Sequence, residues 1–365
     1  MDGGERSVLV LGECLADLAP GDVPAGSREG AGAQAPASRP LVALPGGSPA
    51  NVAVGLARLA VPTAFAGRLS AKGLGPWLRQ HLALNGVDLS LVVEAPEPPT
   101  LAVVTLDKEG RASYTFYGPE TADWQWSEEE LPFVRRDKTA TPAQPGFGAV
   151  HTGSLATAFE PGASVLSTWL RALRASSEIL ISFDPNVRPG LVGDQAGYFE
   201  RVDGFIASSH IVKASTDDLA ALYPQESGSS VATLAGRVAE RWLAGGASLV
   251  VVTDGGRGAT AYHERGWQVH ASPPPVTVKD TIGAGDSFTS GLLGYLSNAG
   301  LLTPHHVADL TEERLAAAMS QAVAASAFTC TRAGADPPDA AELDEFLSGS
   351  RARQAPLGHV RAPGG

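Results

Sequence analysis

Short apolar runs alternate with amphipathic segments along this chain, and this alternation limits the possible folds more than any other feature of the sequence. The runs typical of buried strands are Val8–Leu11, Ile179–Phe183, His210–Lys213 and Ser248–Thr253. Helical periodicity lies between them, over Ala50–Leu59, Pro76–Leu84, Ala163–Leu173 and Val231–Leu243. Continuous apolar strands separated by helices are typical of parallel sheets that are covered on both faces. We therefore expect an α/β fold whose site lies beyond the carboxyl ends of the strands.

Two internal segments and the end of the chain interrupt this pattern. Pro20 to Pro40 is rich in Gly, Ala, Pro and Ser without apolar periodicity, and we expect a flexible excursion there. Leu101–Leu106 and Arg111–Tyr117 alternate in polarity around a short polar turn, which predicts a β-hairpin that forms a small lid. The Pro-, Gly- and Arg-rich residues 351–365 are expected to form a disordered tail.

The length of 365 residues is sufficient for one large core. We expect a single domain over residues 1–350, with the lid formed by about residues 13–44 and 97–126.

Charge and cysteine content exclude several classes of protein. With 39 acidic and 27 basic residues, the chain has no basic stripe for a phosphate backbone, so we expect no nucleic-acid partner. Cys14 and Cys330 are the only cysteines, which does not support a disulfide framework. No segment approaches the roughly 20 consecutive apolar residues of a membrane helix. We expect a soluble, cytoplasmic protein that does not bind membranes.

The strongest local motif is Asp280-Thr-Ile-Gly-Ala-Gly-Asp286, directly before a helical pattern. Gly283, Ala284 and Gly285 would leave backbone N–H groups free at a helix N-terminus, which attracts anions. Asp286 in the first turn could then accept a proton from a hydroxyl that attacks phosphorus. An ordinary glycine turn with Asp286 as a helix cap is an equally good interpretation of the residues alone.

A second glycine turn opens an early helix at Gly46-Gly47-Ser48-Pro49-Ala50-Asn51. Ser48 fits the N-cap and Pro49 the first helical position. Asn51 could bind the hydroxyls of a polyol, or it could face solvent on an ordinary helix. Asp17, just beyond the first strand, could accept two sugar hydroxyls, although an exposed loop Asp is the simpler interpretation.

Two further turns leave predicted strands. In Asp184-Pro-Asn-Val-Arg188-Pro, Arg188 could bind phosphate or substrate, or form a salt bridge with Asp184. Thr253 to Gly258 is a glycine-rich turn that could hold a nucleotide, but such turns are common. No Walker-type phosphate loop, protein-kinase catalytic loop, H-E-x-x-H motif or G-x-S-x-G elbow is present.

The order of these motifs resembles that of the ribokinase-like (PfkB) carbohydrate kinases, over about Val8 to Leu347. Within that family the sequence is most similar to fructokinases, through Gly12-Glu13 with Asp17, the Gly46–Asn51 turn, Phe116-Tyr117 and Asp184–Pro189. The resemblance implies a three-layer α/β/α core with a central, mostly parallel sheet, a small β-sheet lid over the sugar, and ATP in an outer groove.

The same resemblance implies a role for individual residues. The sugar would be bound by Asp17, Gly46, Gly47, Asn51, Phe116 and Arg188. The nucleotide would be bound by Asn186, Lys213, Thr253, Gly255, Gly256 and Gly258. Asp286 would be the catalytic base, with Gly283, Ala284 and Gly285 supplying the amides of an anion hole.

The metal sites follow from the resemblance too, with two departures from the family pattern. Many relatives have Asn-x-x-Glu at the site of water-held Mg²⁺, where this chain has Ser215 to Asp218; Asp218 would substitute. A monovalent cation, K⁺, would lie near the carbonyls of Asp280 and Ile282. Gly118 follows Phe116-Tyr117 where fructokinases and 2-keto-3-deoxygluconate kinases often have Arg.

The function implied is ATP-dependent phosphorylation of a hydroxymethyl group of a free sugar, with D-fructose converted to fructose 6-phosphate. The alternatives are another sugar or sugar-acid kinase, such as ribokinase or 2-keto-3-deoxygluconate kinase, and a non-catalytic sugar- or nucleotide-binding relative. The expected partners are a small-molecule sugar and ATP. Whether the chain forms a homodimer stays an open question at this point.

Overall fold

A computed structural model of the chain describes residues 7–21, 40–106, 112–132, 146–192, 194–226, 228 and 230–354. The strands are β1 Ser7–Leu11, β2 Leu15–Pro20, β3 Leu41–Gly46, β4 Thr63–Ala66, β5 Arg68–Ser70, β6 Val93–Ala95, β7 Leu101–Leu106, β8 Ala112–Tyr117, β9 Phe147–Gly153, β10 Leu180–Asp184, β11 Ile211–Ser215, β12 Leu249–Thr253, β13 Ala259–His263 and β14 Gln268–Ala271. The α-helices are α1 Ser48–Arg58, α2 Gly75–Leu84, α3 Gly162–Ser176, α4 Gln195–Ala207, α5 Thr216–Leu222, α6 Val231–Ala244, α7 Ala284–Asn298, α8 Pro304–Ala308, α9 Glu312–Thr329 and α10 Ala340–Gln354.

The central sheet has eight strands in the order β14-β13-β12-β11-β10-β9-β1-β4. Neighbouring strands are parallel from β12 to β4, and only β13 runs antiparallel to its neighbours, β12 and β14. Successive residues of a strand point to opposite faces, so a strand covered on both sides is apolar throughout. In β12, for example, Leu249 and Val251 enter one core, while Val250 and Val252 enter the other.

Helices cover both faces of this sheet. Residues of α1, α2, α7, α8, α9 and α10 form one hydrophobic core with it, and residues of α3, α4, α5 and α6 form the other. The predicted three-layer α/β/α architecture is therefore confirmed. In the described part of the chain, no helix combines the length and the apolar character that a bilayer span requires.

A separate four-stranded sheet, in the order β3-β2-β7-β8, is the predicted small β-sheet. Its β7–β8 pair confirms the hairpin, with Leu101 opposite Tyr117 and Leu106 opposite Ala112. Leu15, Ala102, Trp124 and Leu155 form a small core beneath it. The predicted excursion at residues 20–40 falls mostly on residues 22–39, outside the described residues. Helix α10 extends to Gln354, past the expected domain end, and residues 355–365 also lie outside the described part.

Helices α1 and α7 approach each other closely because a glycine faces a small side chain. A Cβ atom built at Gly55 of α1 would lie 2.3 Å from Oγ of Ser290 in α7. Deeper in the layer, a Cβ at Gly291 would lie 2.9 Å from Cα of Ala322 in α9. The contact at Gly55 sets how closely α1 packs on α7, and the predicted site residues lie at the N-terminal ends of these two helices.

The close approach at Gly55 can be tested with a matched pair of substitutions. Gly55→Ala should lower the free energy of unfolding by about 1–2 kcal/mol, because the clash with Ser290 outweighs the better helix propensity of Ala. Gly236→Ala is the control, since Gly236 lies inside α6. A Cβ atom built there would have no atom within 4 Å apart from neighbouring backbone of the same helix. This control should raise the free energy of unfolding by up to about 1 kcal/mol. Urea denaturation measures both values, and equal effects would contradict the packing described.

Candidate active site

A cavity of about 300 Å³ lies between the small sheet and the carboxyl ends of β1, β10 and β11. This is the location expected for the site of a parallel α/β sheet. Predicted residues that line it are Asp17, Gly47, Asn51, Phe116, Asn186, Arg188, Lys213, Ile282, Gly283, Gly285 and Asp286. Residues not assigned to a site from the sequence also line it: Glu13, Leu15, Ser48, Ser154, Leu155, Asp184 and Thr281.

Asp286 lies in the first turn of α7 at the base of this cavity. Its side chain does not cap the helix but reaches α1, where Oδ1 accepts a hydrogen bond from the Ser48 hydroxyl at 2.6 Å and Oδ2 accepts one from the Asn51 amide at 2.8 Å. The interpretation of Asp286 as a simple cap is therefore wrong, and so is that of Asn51 as a solvent-facing residue. Two side chains from the first turn of α1 thus hold one carboxylate from the first turn of α7.

Burial raises the pKa of Asp286 above its ordinary value, and hydrogen bonds from Ser48 and Asn51, with the positive charges of Lys213 and Arg188, oppose that rise. A carboxylate with a raised pKa is a stronger proton acceptor than a surface Asp. The position and the electrostatics of Asp286 thus suit a general base.

The turn before α7 exposes main-chain amides. Gly283 precedes the helix with φ of 73°, a left-handed conformation that favours glycine, and a Cβ there would lie 2.6 Å from Cβ of Ala335. The amide of Ala284 donates to the carbonyl of Thr281 at 3.2 Å. Within the described residues the amides of Gly283 and Gly285 have no such main-chain partner. The amides of Gly283 and Gly285 can therefore donate to an anion, whereas the amide of Ala284, also predicted for the anion hole, is already engaged.

Asp17 lies in β2 of the small sheet and faces the same cavity. Burial, with repulsion from Asp286, raises its pKa to about 6. Gly46 lies directly beneath it, because a Cβ at Gly46 would be 2.5 Å from Oδ2 of Asp17. Gly46 does not itself line the cavity, so its observed contribution is to leave room for the Asp17 carboxylate, whereas Gly47 is part of the cavity wall.

Two cationic side chains, Lys213 and Arg188, also line the cavity. Lys213 of β11 donates to Oδ2 of Asp184 at 2.7 Å, and both side chains are buried. Burial opposes the charge on Lys213, but attraction to Asp184, Asp218 and Asp286 keeps its pKa raised, so the ammonium stays protonated. The predicted alternative of an Arg188–Asp184 salt bridge is wrong, since the Arg188 guanidinium donates to the carbonyls of Asn186 and Val187.

A second cavity, of about 110 Å³, adjoins the first along the start of α7. Thr253, Gly255, Gly258, Ala284 and Gly285 are among the residues that line it. Gly285 lines both cavities, and a Cβ there would lie 2.9 Å from Nζ of Lys213. Gly256 is exposed and lines neither cavity. Asn186 and Lys213, both predicted with the nucleotide residues, line the first cavity and not the second.

The oxygens predicted to face metal ions differ between the two sites in whether they already accept hydrogen bonds from the protein. Asp218 accepts hydrogen bonds from the Val187 amide on Oδ1 and from the amide and hydroxyl of Ser215 on Oδ2. Both of its oxygens are therefore engaged, and contact with Mg²⁺ through water stays a prediction. The Asp280 carboxylate accepts hydrogen bonds from the main-chain amides of Thr281, Ile282 and Gly334. The main-chain carbonyls of Asp280 and Ile282 accept no hydrogen bond from the described residues, which suits the predicted cation ligands.

Glu13 is the most unusual of the residues that sequence reasoning did not assign to the site. Burial, together with the charge of Asp123, raises its pKa to about 8, and hydrogen bonds from Ser154 and the Leu155 backbone only partly oppose that rise. Its Oε2 has no hydrogen-bond partner within the described residues. The sequence has two signals for this residue: it lies two positions after the first buried strand, and Gly12-Glu13 is among the residues that resemble fructokinases.

Gly118, where relatives often have Arg, lies beside the cavity rather than in its wall. It is buried, and a Cβ there would be 3.4 Å from Nε1 of Trp124 and 3.5 Å from Cζ of Phe159. A side chain at this position would start towards the small core, not towards Asp17 or Asn51. The substitution of Gly118 by Arg would therefore disturb packing under the small sheet before it changed the cavity.

Comparison with known proteins gives a family match over nearly the whole chain. A family model described as pfkB family carbohydrate kinase matches residues 5–341. A fructokinase of Rhizobium leguminosarum bv. trifolii is 33% identical over 308 residues, which cover 84% of this chain and 85% of that protein.

Solved structures agree with the fold described above. A fructokinase of Xylella fastidiosa with bound ATP has a TM-score of 0.81 and 25% identity, covering 95% of this chain and 99% of that one. A fructokinase of Vibrio cholerae O395 with fructose, ADP and calcium has a TM-score of 0.75 and 27% identity, covering 95% and 100%. An aminoimidazole riboside kinase of Salmonella enterica, complexed with its riboside and an ATP analogue, has a TM-score of 0.73 and 26% identity, covering 94% and 100%.

The raised pKa of Glu13 predicts an unusual dependence of stability on pH. In the folded protein the Glu13 carboxyl keeps its proton up to about pH 8, whereas the ordinary pKa of Glu is 4.5. The contribution of Glu13 to stability is therefore lost as pH rises between these two values. Glu13→Gln should resemble the protonated residue and avoid that loss.

Urea denaturation of both proteins at pH 5 and pH 8.5 tests this expectation. The advantage of Glu13→Gln over the unmodified protein should grow by a few kcal/mol between the two pH values, since each pKa unit corresponds to about 1.4 kcal/mol. Glu94→Gln, at an exposed glutamate of β6, should follow the unmodified protein at both. An advantage that does not change with pH would contradict the buried, protonated Glu13.

Proposed function

Because the chain belongs to the pfkB family of carbohydrate kinases, we propose that this sugar kinase transfers the γ-phosphoryl group of ATP to a hydroxymethyl group of D-fructose, giving fructose 6-phosphate. The observation that carries this proposal is the buried Asp286 carboxylate, held at the start of α7 where the two cavities meet. The sugar would occupy the larger cavity and the nucleotide the smaller one.

Asp286 is the base of the proposed transfer. Its carboxylate takes the proton of the sugar hydroxyl as the hydroxyl oxygen bonds to the γ-phosphorus, and the bond from that phosphorus to the β,γ-bridging oxygen breaks to release ADP. The raised pKa makes the carboxylate a fitting acceptor for a hydroxyl proton.

The transferred group needs positive charge and N–H donors where the cavities join. The amides of Gly283 and Gly285 lie at the N-terminus of α7, which favours an anion through the aligned peptide dipoles. Lys213 lies beside Gly285, and Arg188 lines the same cavity. These groups would stabilise the charge that develops on the phosphoryl oxygens, with Ala284 contributing to the shape of the turn.

The cavity wall nearest the small sheet suits a neutral polyol. The Asp17 carboxylate accepts hydroxyl hydrogen bonds, the Asn51 amide both donates and accepts, and Phe116 supplies an apolar surface. A sugar acid would need its own cationic partner, because an unpaired buried carboxylate is costly. The cations of the cavity, Lys213 and Arg188, already serve Asp184 and the proposed phosphate position. Fructose is therefore favoured over 2-keto-3-deoxygluconate.

The main rival substrate is a riboside. Structural similarity to aminoimidazole riboside kinase shows that this fold accommodates a furanose that carries a base in that protein. Similarity to fructokinases in both sequence and structure supports fructose instead.

Metal ions enter the proposal with the nucleotide. Mg²⁺ would arrive bound to ATP and screen its phosphates, and Asp218 is the carboxylate predicted to contact it through water. K⁺ near the carbonyls of Asp280 and Ile282 would order the turn that carries Gly283. Cytoplasmic location, the absence of a nucleic-acid partner and a homodimer stay predictions.

Replacing the proposed base should abolish most of the activity. Asp286→Asn should lower kcat by about 10²-fold to 10⁴-fold, the range for a positioned general base, and leave ATP binding largely intact. Asp194→Asn is the control, because Asp194 caps α4 and lines neither cavity. A coupled assay for ADP release, with ATP binding measured by calorimetry, gives both quantities. Near-normal turnover by a folded Asp286→Asn variant would refute the assignment.

The substrate itself is tested by a panel of acceptors at saturating Mg-ATP. The value of kcat/KM should be highest for fructose and lower for ribose, glucose, aminoimidazole riboside and 2-keto-3-deoxygluconate, because the cavity offers matched groups for neutral hydroxyls. A higher kcat/KM for the riboside or for the sugar acid than for fructose would assign that compound as the substrate and leave the role of Asp286 unchanged.

A further inference from the structure

Ser48 makes a buried hydrogen bond to the carboxylate that the proposed mechanism depends on. Its Oγ lies 2.6 Å from Oδ1 of Asp286, a distance typical of a strong hydrogen bond from a hydroxyl to a carboxylate. Ser48 is 9% exposed and lines the larger cavity. The bond joins residues that are 238 positions apart in the sequence.

The hydroxyl is free to make this bond because it does not cap the helix. Gly47, with φ of 101°, occupies the N-cap position, and α1 starts at Ser48 itself with no side-chain cap. The sequence-based expectation of Ser48 as N-cap is therefore wrong by one position. A Cβ at Gly47 would lie 2.6 Å from the carbonyl oxygen of Glu13, so glycine is required at the cap and the serine is moved into the cavity.

The two oxygens of Asp286 have different surroundings as a result. Oδ1 accepts from Ser48, while Oδ2 accepts from the Asn51 amide, a group that could also bind sugar hydroxyls. A carboxylate oxygen can accept more than one hydrogen bond, so Oδ2 can hold Asn51 and a sugar hydroxyl together.

We propose that Ser48 is a positioning residue for phosphoryl transfer: its hydroxyl holds Oδ1 of Asp286, so that Oδ2 is the oxygen that takes the proton from the sugar hydroxyl. This inference rests on the proposed role of Asp286 as the base. It assigns Ser48 a function through Asp286 and not through contact with the sugar.

The charges around Asp286 make the Ser48 bond important for its protonation state. Asp17 of β2 and Asp184 of β10 repel the charged carboxylate, while Lys213 of β11 and Arg188 of the loop after β10 attract it. Burial raises the pKa of Asp286, and the Ser48 hydrogen bond is the first of the effects that oppose the rise. Loss of that bond should raise the pKa further, so that Asp286 is protonated, and inactive as a base, at higher pH.

The experiment measures the pH dependence of kcat for Ser48→Ala, Ser48→Thr and Ser290→Ala. In Ser48→Ala the acidic limb should move to higher pH by roughly one unit, and kcat on the plateau should fall about 10-fold to 100-fold, the range for a lost hydrogen bond to a charged group. The sugar KM should change little, because the Ser48 hydroxyl is committed to Asp286. Ser48→Thr keeps a hydroxyl and should restore the acidic limb.

Ser290 provides a matched control one turn along the same helix pair. It too joins α7 to α1, but its hydroxyl donates to the carbonyls of Asp286 and Val52 and not to the carboxylate. Ser290→Ala should leave the acidic limb in place even if it lowers stability.

Different outcomes separate this inference from the proposed function. If Asp286→Asn is inactive but Ser48→Ala keeps the kcat and the acidic limb of the unmodified enzyme, Ser48 is not a positioning residue and the base assignment stands. An equal fall in kcat for Ser48→Ala and Ser290→Ala without any shift of the limb also overturns the inference. If Asp286→Asn turns over normally, the base assignment fails and the role of Ser48 fails with it.

Discussion

The contact between the N-terminal ends of α1 and α7 is the interaction on which the rest of the site depends. Ser48 and Asn51 of α1 hold the carboxylate of Asp286 in α7, although the serine and the aspartate are 238 residues apart. The glycine at position 55, packed against Ser290, lets the two helices come close enough for these bonds. A buried hydrogen bond to a carboxylate requires accurate placement of both partners, so the packing of the helix layer and the geometry of the base are one constraint.

The cavity concentrates charge in a place that folding alone would avoid. Asp184 and Asp286 are buried and Asp17 is half-buried within one site, and loss of contact with water raises the pKa of each of them. Lys213 and Arg188 balance this charge in part. Buried charges interact more strongly than exposed ones, because the surrounding protein screens them less than bulk water does. Perturbed carboxylates of this kind cluster at functional sites, where the cost to stability is offset by reactivity.

The sequence correctly predicts features that depend on local pattern. It does not predict side-chain contacts whose partners are far apart along the chain. Buried strands, the hairpin and the glycine turn before Asp286 are local, and the structure has them where expected. The local sequence around Ser48 matches an N-cap, but its hydroxyl donates to Asp286, a partner 238 residues away that the local sequence does not show. Asp184 has Arg188 nearby in the chain, yet the adjacent strands β10 and β11 bring Lys213 to it instead. The groups that act on the pKa of Glu13, Asp123 and Ser154, likewise lie far along the chain.

The central claim is that the Asp286 carboxylate receives the proton of the sugar hydroxyl while Ser48 holds its other oxygen. A crystal structure with fructose and a non-hydrolysable ATP analogue tests it most directly. The account predicts that the oxygen of the hydroxymethyl group lies about 2.6–3.2 Å from Oδ2 of Asp286, with the Ser48 bond to Oδ1 kept. A hydroxymethyl group bound away from Asp286, with another side chain as its nearest acceptor, would contradict the account.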